Sequence, residues 1–249
     1  LTLASMLRAV FGLILLALQL ILLWLTFSRG GCLALAISTL LVTGLLVFSK
    51  RKRLMAVPQL AAAAVLLAFA VAGVAATHSS PALADDAVHL DAASLPKDGI
   101  DLSVKDLASS ESFKLRVSYW RTGLNMALDN ALLGVGIGNF GIAYPQYQIL
   151  GAGQTREAHN DYLQALCETG IAGFVCFCLF WGYFVYYGAR RVLTEPDGRE
   201  RPLLAGLFTG VLAFLIHALV DFNFANPALS FLAILLAGVF YARAALHAP

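Results

Sequence analysis

Residues 158–164 have the sequence Ala158-His159-Asn160-Asp161-Tyr162-Leu163-Gln164, and they lie in the only long segment, 113–173, in which polar, titratable and glycine residues gather. Most of the chain outside that segment is apolar, apart from the polar, aspartate-containing stretch 77–112. We therefore interpret the rest of the chain as a membrane frame that carries this segment.

Residues 113–130 fit an amphipathic helix when they are placed at about 100° per residue. Its polar stripe contains Lys114, Ser118, Arg121, Thr122, Asn125 and Asp129. Arg116 points the opposite way, and His159 likewise lies opposite the polar face of the helix that is predicted to start there. A guanidinium on the apolar side of a helix is costly unless an anion meets it. Arg116 and His159 are therefore predicted to share one buried site.

The composition places the chain in the membrane. Its 249 residues are 59% hydrophobic and 13% charged, with a mean hydropathy of +0.77, whereas soluble domains carry about 25% charged residues. A net charge of +2, with basic residues at the ends of apolar runs, argues against a nucleic-acid partner. The fold class predicted is an all-α polytopic transmembrane bundle. Because the chain starts at Leu1 inside an apolar run, we expect it to be the C-terminal part of a longer protein.

Six apolar runs approach the roughly 20 residues that cross a bilayer as a helix. They cover residues 9–27, 31–49, 54–76, 171–189, 203–220 and 228–245. The predicted organisation is three spans in 1–76, a large loop with amphipathic helices in 77–170, and three spans in 171–249. Basic clusters at 50–53 and 190–201 are expected on the cytoplasmic side, which puts the loop on the outer side of the membrane.

Two further patterns have both a structural and a functional interpretation. The stretch Leu133-Gly134-Val135-Gly136-Ile137-Gly138-Asn139-Phe140 predicts a tight turn at the membrane face, because it lacks the preceding strand of a dinucleotide site. Its N–H groups could still approach an anion. His217 and Asp221, at i and i+4, form either a structural hydrogen-bonded pair or part of the wall of the site.

Tyr144 to Tyr147 is interpreted as an interfacial aromatic anchor. The four cysteines lack metal-site spacing and are interpreted as small apolar fillers.

These pieces, in this order, resemble the O-antigen ligase and polymerase superfamily of bacterial membrane proteins. The resemblance covers most of the chain and is carried by five stretches: Ser28-Arg29-Gly30, Arg116 with Trp120, 132–140, 158–164, and Glu168-Thr169-Gly170-Ile171-Ala172-Gly173. It implies a glycosyltransferase that uses an undecaprenyl-diphosphate-linked glycan as donor, with neither metal nor cofactor. The acceptor would be a lipid A core or a growing glycan.

The resemblance also implies roles for individual residues. The arginines Arg29 and Arg116 would hold the diphosphate, and His159 would activate the acceptor hydroxyl. Guanidinium groups suit phosphate oxygens, and a neutral imidazole can accept a proton from a sugar hydroxyl. Single displacement at the anomeric carbon would invert it. We further assign substrate contacts to Arg121, Gly136, Gly138, Asn160, Asp161 and His217.

The sequence leaves three alternative functions open, one of the same enzyme class and two of other classes. A polymerase would use the same chemistry with another acceptor. A solute or ion transporter would place charges near the bilayer midplane, but the apolar runs carry their charges at the ends. A non-catalytic assembly partner is the third alternative. The oligomeric state and the donor sugar are not encoded in these patterns.

Overall fold

The computed structural model describes residues 28–48, 111–149, 152–196, 198 and 200–246, together with Ile14, Leu18 and Ile21. Within these residues the chain forms six α-helices and no strand. They are α1 (Arg29–Phe48), α2 (Glu111–Asp129), α3 (Phe140–Tyr147), α4 (Asp161–Thr194), α5 (Glu200–His217) and α6 (Pro227–Leu246). The all-α prediction is confirmed for this part of the chain.

Four of the helices, α1, α4, α5 and α6, are long and apolar enough to cross a membrane. They correspond to the runs predicted at 31–49, 171–189, 203–220 and 228–245. The runs at 9–27 and 54–76 and the basic cluster at 50–53 lie outside the described residues, apart from three helical positions in the first run. The chain is therefore a multi-pass membrane protein.

The spanning helices share one aromatic core. Phe184 of α4 contacts Phe208 of α5 and Phe240 of α6, with ring centroids 5.9 and 5.6 Å apart. All three rings are almost completely buried. Because lipid tails are as apolar as these side chains, close packing and ring contacts, rather than removal from water, hold such helices together. α1 joins the bundle mainly through α5.

A second core lies among α2, α3 and the start of α4. It contains the buried residues Tyr119, Met126, Ala127, Phe140, Tyr144, Ala158, Leu163 and Cys167. Tyr144 is fully buried and its hydroxyl donates to the Gly153 carbonyl at 3.1 Å. The prediction of an interfacial anchor is therefore wrong for Tyr144. Thr122 is also fully buried, so the polar stripe of α2 is narrower than predicted.

The helix α4 contains a break that separates these two regions. Gly170 has φ 62° and ψ −170°, which is not helical, although helix continues on both sides. A residue with a side chain rarely adopts this left-handed region, so glycine is required here. The break lies at the end of the predicted loop, immediately before the apolar run at 171–189.

Candidate functional site

The backbone around His159 is held from both directions. The Trp120 indole N–H donates to the His159 carbonyl at 3.3 Å, and the Ala158 N–H donates to the Gln164 side chain at 3.0 Å. Asn160 caps α4 by accepting from the Leu163 N–H at 3.0 Å. His159 itself has φ 49°, an uncommon conformation for a non-glycine residue and one that concentrates at functional sites.

The His159 ring lies between two aromatic rings. It stacks on Tyr119 with centroids 5.8 Å apart and meets the edge of Phe222 at 4.9 Å. Its Nδ1 atom lies 3.5 Å from Oδ1 of Asp221, and its side chain remains 25% exposed. Nδ1 is itself buried and makes no hydrogen bond at this distance, so the exposed surface belongs to the other side-chain atoms. A proton on Nδ1, facing the carboxylate, leaves the lone pair on Nε2.

Asp221 lies between two histidines. Its second oxygen, Oδ2, is 3.5 Å from Nε2 of His217, and Oδ1 accepts the Phe222 N–H at 3.0 Å. Burial raises the pKa of Asp221, but the His159 ring, the Phe222 N–H and the nearby charges of His217 and Arg116 outweigh burial. The pKa of Asp221 therefore lies below its ordinary value, and the group is a carboxylate at neutral pH.

The hydrogen bonds of His217 define the roles of its ring nitrogens. Asn223 donates its amide N–H to the Phe214 carbonyl at 3.0 Å, which leaves its amide oxygen 2.9 Å from Nδ1 of His217. Nδ1 of His217 must then carry a proton. Nε2 faces a carboxylate, and it can donate to that carboxylate only when the ring is doubly protonated. The predicted His217–Asp221 proximity is confirmed by this geometry.

Arg116 brings a positive charge to this group from α2. Its side chain is half-buried and its charge acts on Asp221. Among the described residues, none of the ion pairs or hydrogen bonds includes its guanidinium. His159 and the charge of Arg116 thus both act on Asp221. The shared site of Arg116 and His159 stays a prediction, and the guanidinium has five N–H donors to offer an anion.

The Ser28-Arg29-Gly30 hairpin reaches the same place. A Cβ on Gly30 would lie 3.0 Å from Cδ2 and Nε2 of His217, so the hairpin backbone packs directly on that ring. Arg29 is the first residue of α1, although its side chain lies outside the described residues. Three segments separated in sequence, near residues 29, 159 and 221, thus meet at one end of the bundle.

The glycine turn is occupied by an anion of the chain itself. The turn is tight as predicted, with φ of 97° at Gly136 and 77° at Gly138. The Gly138 N–H donates to the Glu168 carboxylate at 2.9 Å, and the Gly136 N–H donates to the Glu168 backbone carbonyl at 2.9 Å. The N–H groups that were predicted to approach an external anion are thus bonded to Glu168, and the assignment of Gly136 and Gly138 to substrate binding stays a prediction.

Asn160 and Asp161 are also engaged in structural contacts. Asn160 is the N-cap described above, and buried Asp161 accepts the Phe224 N–H at 3.0 Å while its own N–H donates to the Ala218 carbonyl at 2.9 Å. These bonds tie the start of α4 to the α5–α6 connection and so bring Asp221 to His159. These contacts give both residues a positioning role, and their predicted substrate contacts stay a prediction. Arg121 is exposed on α2.

Sequence reasoning missed Asp221 as the partner of His159, and it missed Tyr119 as the stacking surface. The i, i+4 spacing indicated the contact between His217 and Asp221, but no sequence pattern joins residues 159 and 221.

Among the described residues, no three His, Cys, Asp or Glu side chains are grouped so that they could hold a metal ion. Cys32 and Cys167 are buried and all four cysteines are free.

Comparison with known families now adds the class of protein. The family described as O-antigen ligase matches residues 13–178, more than half of the chain and including the site residues Arg29, Arg116 and His159. The chain belongs to the O-antigen ligase family, whose members are membrane enzymes that transfer lipid-linked glycans. This confirms the resemblance and favours an enzyme over a transporter. No curated protein and no solved structure matches the chain.

Proposed function

We propose that this enzyme transfers a glycan from undecaprenyl diphosphate to an acceptor hydroxyl as a metal-independent, inverting O-antigen ligase of the bacterial inner membrane. The observation that carries the proposal is the pairing of His159 Nδ1 with the Asp221 carboxylate next to Arg116. A base, a group that orients it and a cation for the leaving group are the parts that this reaction needs.

His159 is the general base of the proposed reaction. With its proton directed at Asp221, the ring offers Nε2 to the acceptor hydroxyl. General base catalysis of this kind typically contributes about 10²–10⁴-fold to a rate. The carboxylate stabilises the imidazolium that forms, and Tyr119 and Phe222 restrict the ring orientation.

Arg116 and Arg29 bind the diphosphate in this scheme. The acceptor oxygen forms a bond to the anomeric carbon while the bond from that carbon to the diphosphate oxygen breaks. The leaving diphosphate keeps the electron pair, and guanidinium groups stabilise its developing charge bidentately. This role replaces the divalent cation of many sugar transferases. Attack opposite the leaving group inverts the anomeric centre.

We place the remaining polar groups around these three. His217 supports Asp221 from its second oxygen, under the hairpin that carries Arg29. Arg121, exposed on α2, is a candidate for contacting the glycan. The whole site is proposed to face the periplasm, within the 77–170 loop and the ends of the spans in 1–76 and 171–249 that flank it. The orientation rests on the basic clusters of the sequence.

A polymerase of the same chemistry is the second proposal, because the family comprises glycan transfer of both types. The acceptor alone separates them: a ligase uses a lipid A core, and a polymerase uses the lipid-linked chain. Deleting the gene distinguishes the two in cells. Loss of a ligase leaves long lipid-linked polymer, whereas loss of a polymerase leaves single repeat units.

The decisive experiment is reconstitution in proteoliposomes with a defined undecaprenyl-diphosphate-linked glycan. Lipid A core and lipid-linked acceptor are supplied separately, each with and without EDTA, and the product anomer is determined by NMR. We expect transfer that persists in EDTA and an inverted anomer. Retention of configuration would exclude single displacement, and loss of transfer in EDTA that Mg²⁺ restores would exclude the metal-independent scheme.

A further inference from the structure

A set of exposed aliphatic side chains borders the glycine turn. We call Leu128, Leu132, Leu133 and Ile137 the apolar turn. Their exposed fractions are 75%, 76%, 82% and 84%. The first three line a shallow depression of about 370 Å³. Four neighbouring aliphatic groups exposed to this extent on a water-facing surface would be a liability, which indicates that something apolar covers them.

The backbone of this turn is fixed to α4 at the start of its apolar run. The Ile171 N–H donates to the Ala131 carbonyl at 2.8 Å. A Cβ on Gly170 would lie 2.3 Å from the Leu132 carbonyl oxygen, and one on Gly134 would lie 2.4 Å from the Glu168 carbonyl carbon. The two backbones are therefore in direct contact, and the turn lies level with the first turn of the membrane span.

The surface of α4 beyond this contact is also apolar and exposed. Ile171, Val175 and Leu179 follow one another at i, i+4 and i+8, with exposed fractions of 47%, 44% and 67%. Because α4 is a membrane span, this stripe faces acyl chains or another helix. The apolar turn lies beside the Ile171 end of this stripe and widens the apolar surface there, at the level where hydrocarbon meets headgroups.

The charge pattern identifies the part of the lipid involved. No lysine or arginine occurs between Arg121 and Arg156, and Asp129 is exposed beside the turn. Electrostatic attraction to anionic headgroups therefore cannot hold the turn, since surface attraction of that kind needs several basic residues. Contact with acyl chains needs only the aliphatic side chains, whose burial is worth about 25 cal/mol per Å².

We infer that the apolar turn inserts into the bilayer at the boundary between acyl chains and headgroups, beside α4. The occupant of this surface is lipid hydrocarbon, independent of headgroup charge. The Glu168 carboxylate joins the same turn to α4, and Gln164 hydrogen-bonds both Glu168 and the Ala158 N–H. Insertion would thus set the height of the His159 loop at the level where the diphosphate of a lipid-linked substrate lies.

Spin labelling in nanodiscs tests this insertion. The full chain carries Cys176→Ala and Cys178→Ala, and single cysteines replace Leu133 or Ile137. Leu179→Cys is the control for a lipid-facing site, and Gln154→Cys, at an exposed polar position, is the control for water. Accessibility to O₂, which partitions into lipid, and to a water-soluble nickel chelate is measured by power saturation.

We expect the ratio of O₂ to nickel accessibility at 133 and 137 to approach that at 179 and to exceed the ratio at 154 several-fold. The result should be the same in zwitterionic and in anionic lipid, and at low and high salt. A water-like ratio at 133 and 137 would overturn the inference and leave the surface to a protein partner, which these nanodiscs lack. A ratio that depends on anionic lipid or salt would overturn the hydrocarbon contact. Neither result depends on glycan transfer.

Discussion

The charged side chains near the two ends of α4 differ in how closely they are paired and how deeply they are buried. At the His159 end, the His159–Asp221 and His217–Asp221 contacts are both 3.5 Å long. At the other end, Arg191 pairs with Glu195 at 2.7 Å and donates to the Ala244 carbonyl at 3.3 Å. Both Arg191 and Glu195 are buried, while His159 is partly exposed.

This difference separates charges that hold the fold from charges that are available for chemistry. A buried charge must be compensated, and at the Arg191 end the chain compensates it through the Glu195 carboxylate and the Ala244 carbonyl. At the His159 end, Arg116 of α2 forms no ion pair with any described residue. In the proposed reaction, the diphosphate of the donor is the anion that Arg116 binds. Substitutions at the two ends should consequently affect different observables.

The largest expected effect is on activity, from His159→Asn. Asparagine tolerates the left-handed backbone of residue 159 and removes the base. We expect the rate of transfer to fall by about 10²–10⁴-fold, with the thermal melting of the purified enzyme unchanged. Initial rates with a lipid-linked donor and melting curves in detergent check this. A variant that transfers normally would remove His159 from the mechanism.

The next effect is on stability, from Arg191→Ala at the opposite end. It leaves Glu195 buried and uncompensated, which typically costs about 3–5 kcal/mol. Activity per folded molecule should stay at the parent level below the melting transition. The exposed neighbour Arg190 is the matched control, and Arg190→Ala should change stability by less than about 1 kcal/mol. Equal effects of the two substitutions would contradict the comparison.

An intermediate effect on activity is expected for Arg116→Ala. Loss of one preorganised donor group to a developing negative charge costs about 10²–10³-fold in rate. Arg116→Lys should recover only part of this, because an ammonium lacks the bidentate fork. Lys114→Ala, exposed on the same helix, is the control and should retain parent activity. If Arg116→Lys were fully active, charge alone would be sufficient and the bidentate contact would be wrong.

The sequence predicted the parts of the site that follow from helix faces. Arg116 does lie on α2, away from the polar stripe of that helix. The helical placement of His159 is wrong, because α4 begins at Asp161 and His159 precedes it with φ 49°. The sequence did not predict that Asp221 lies against His159, because in apolar spans the lipid-facing and core-facing residues look alike. The periodicity of α5 and α6 therefore carries little information on which helix end meets which loop.

The glycine turn shows a different limit of sequence reasoning. Its N–H groups were predicted to be open to an anion, and they do bind one, but it is the carboxylate of Glu168. Thirty residues separate Gly138 and Glu168. A glycine pattern predicts that backbone N–H groups are accessible. Which acceptor they bind is seen only in the tertiary structure.

The smallest of the expected effects on activity is that of Asp221→Asn. It keeps the shape of the side chain but removes the charge that His159 and His217 share. One charge-assisted hydrogen bond is worth about 1.5–3 kcal/mol, so we expect the transfer rate to fall by about tenfold to a hundredfold. Because a neutral amide cannot stabilise the imidazolium, the loss should appear in kcat more than in KM for the donor.

The pH dependence of that loss follows from the lowered pKa of Asp221. Since the folded pKa is below the ordinary value of 3.8, the carboxylate contributes its full stabilisation above that pH and loses it only as the pH falls through the folded pKa. From pH 5 to 8 Asp221 of the parent is therefore ionised, and the ratio of parent to Asp221→Asn rates should stay level. Rates of both proteins measured across this range test it. A ratio that falls to one at pH 5 would mean that Asp221 takes up a proton there, and the two ends of α4 would then differ less than their geometry indicates.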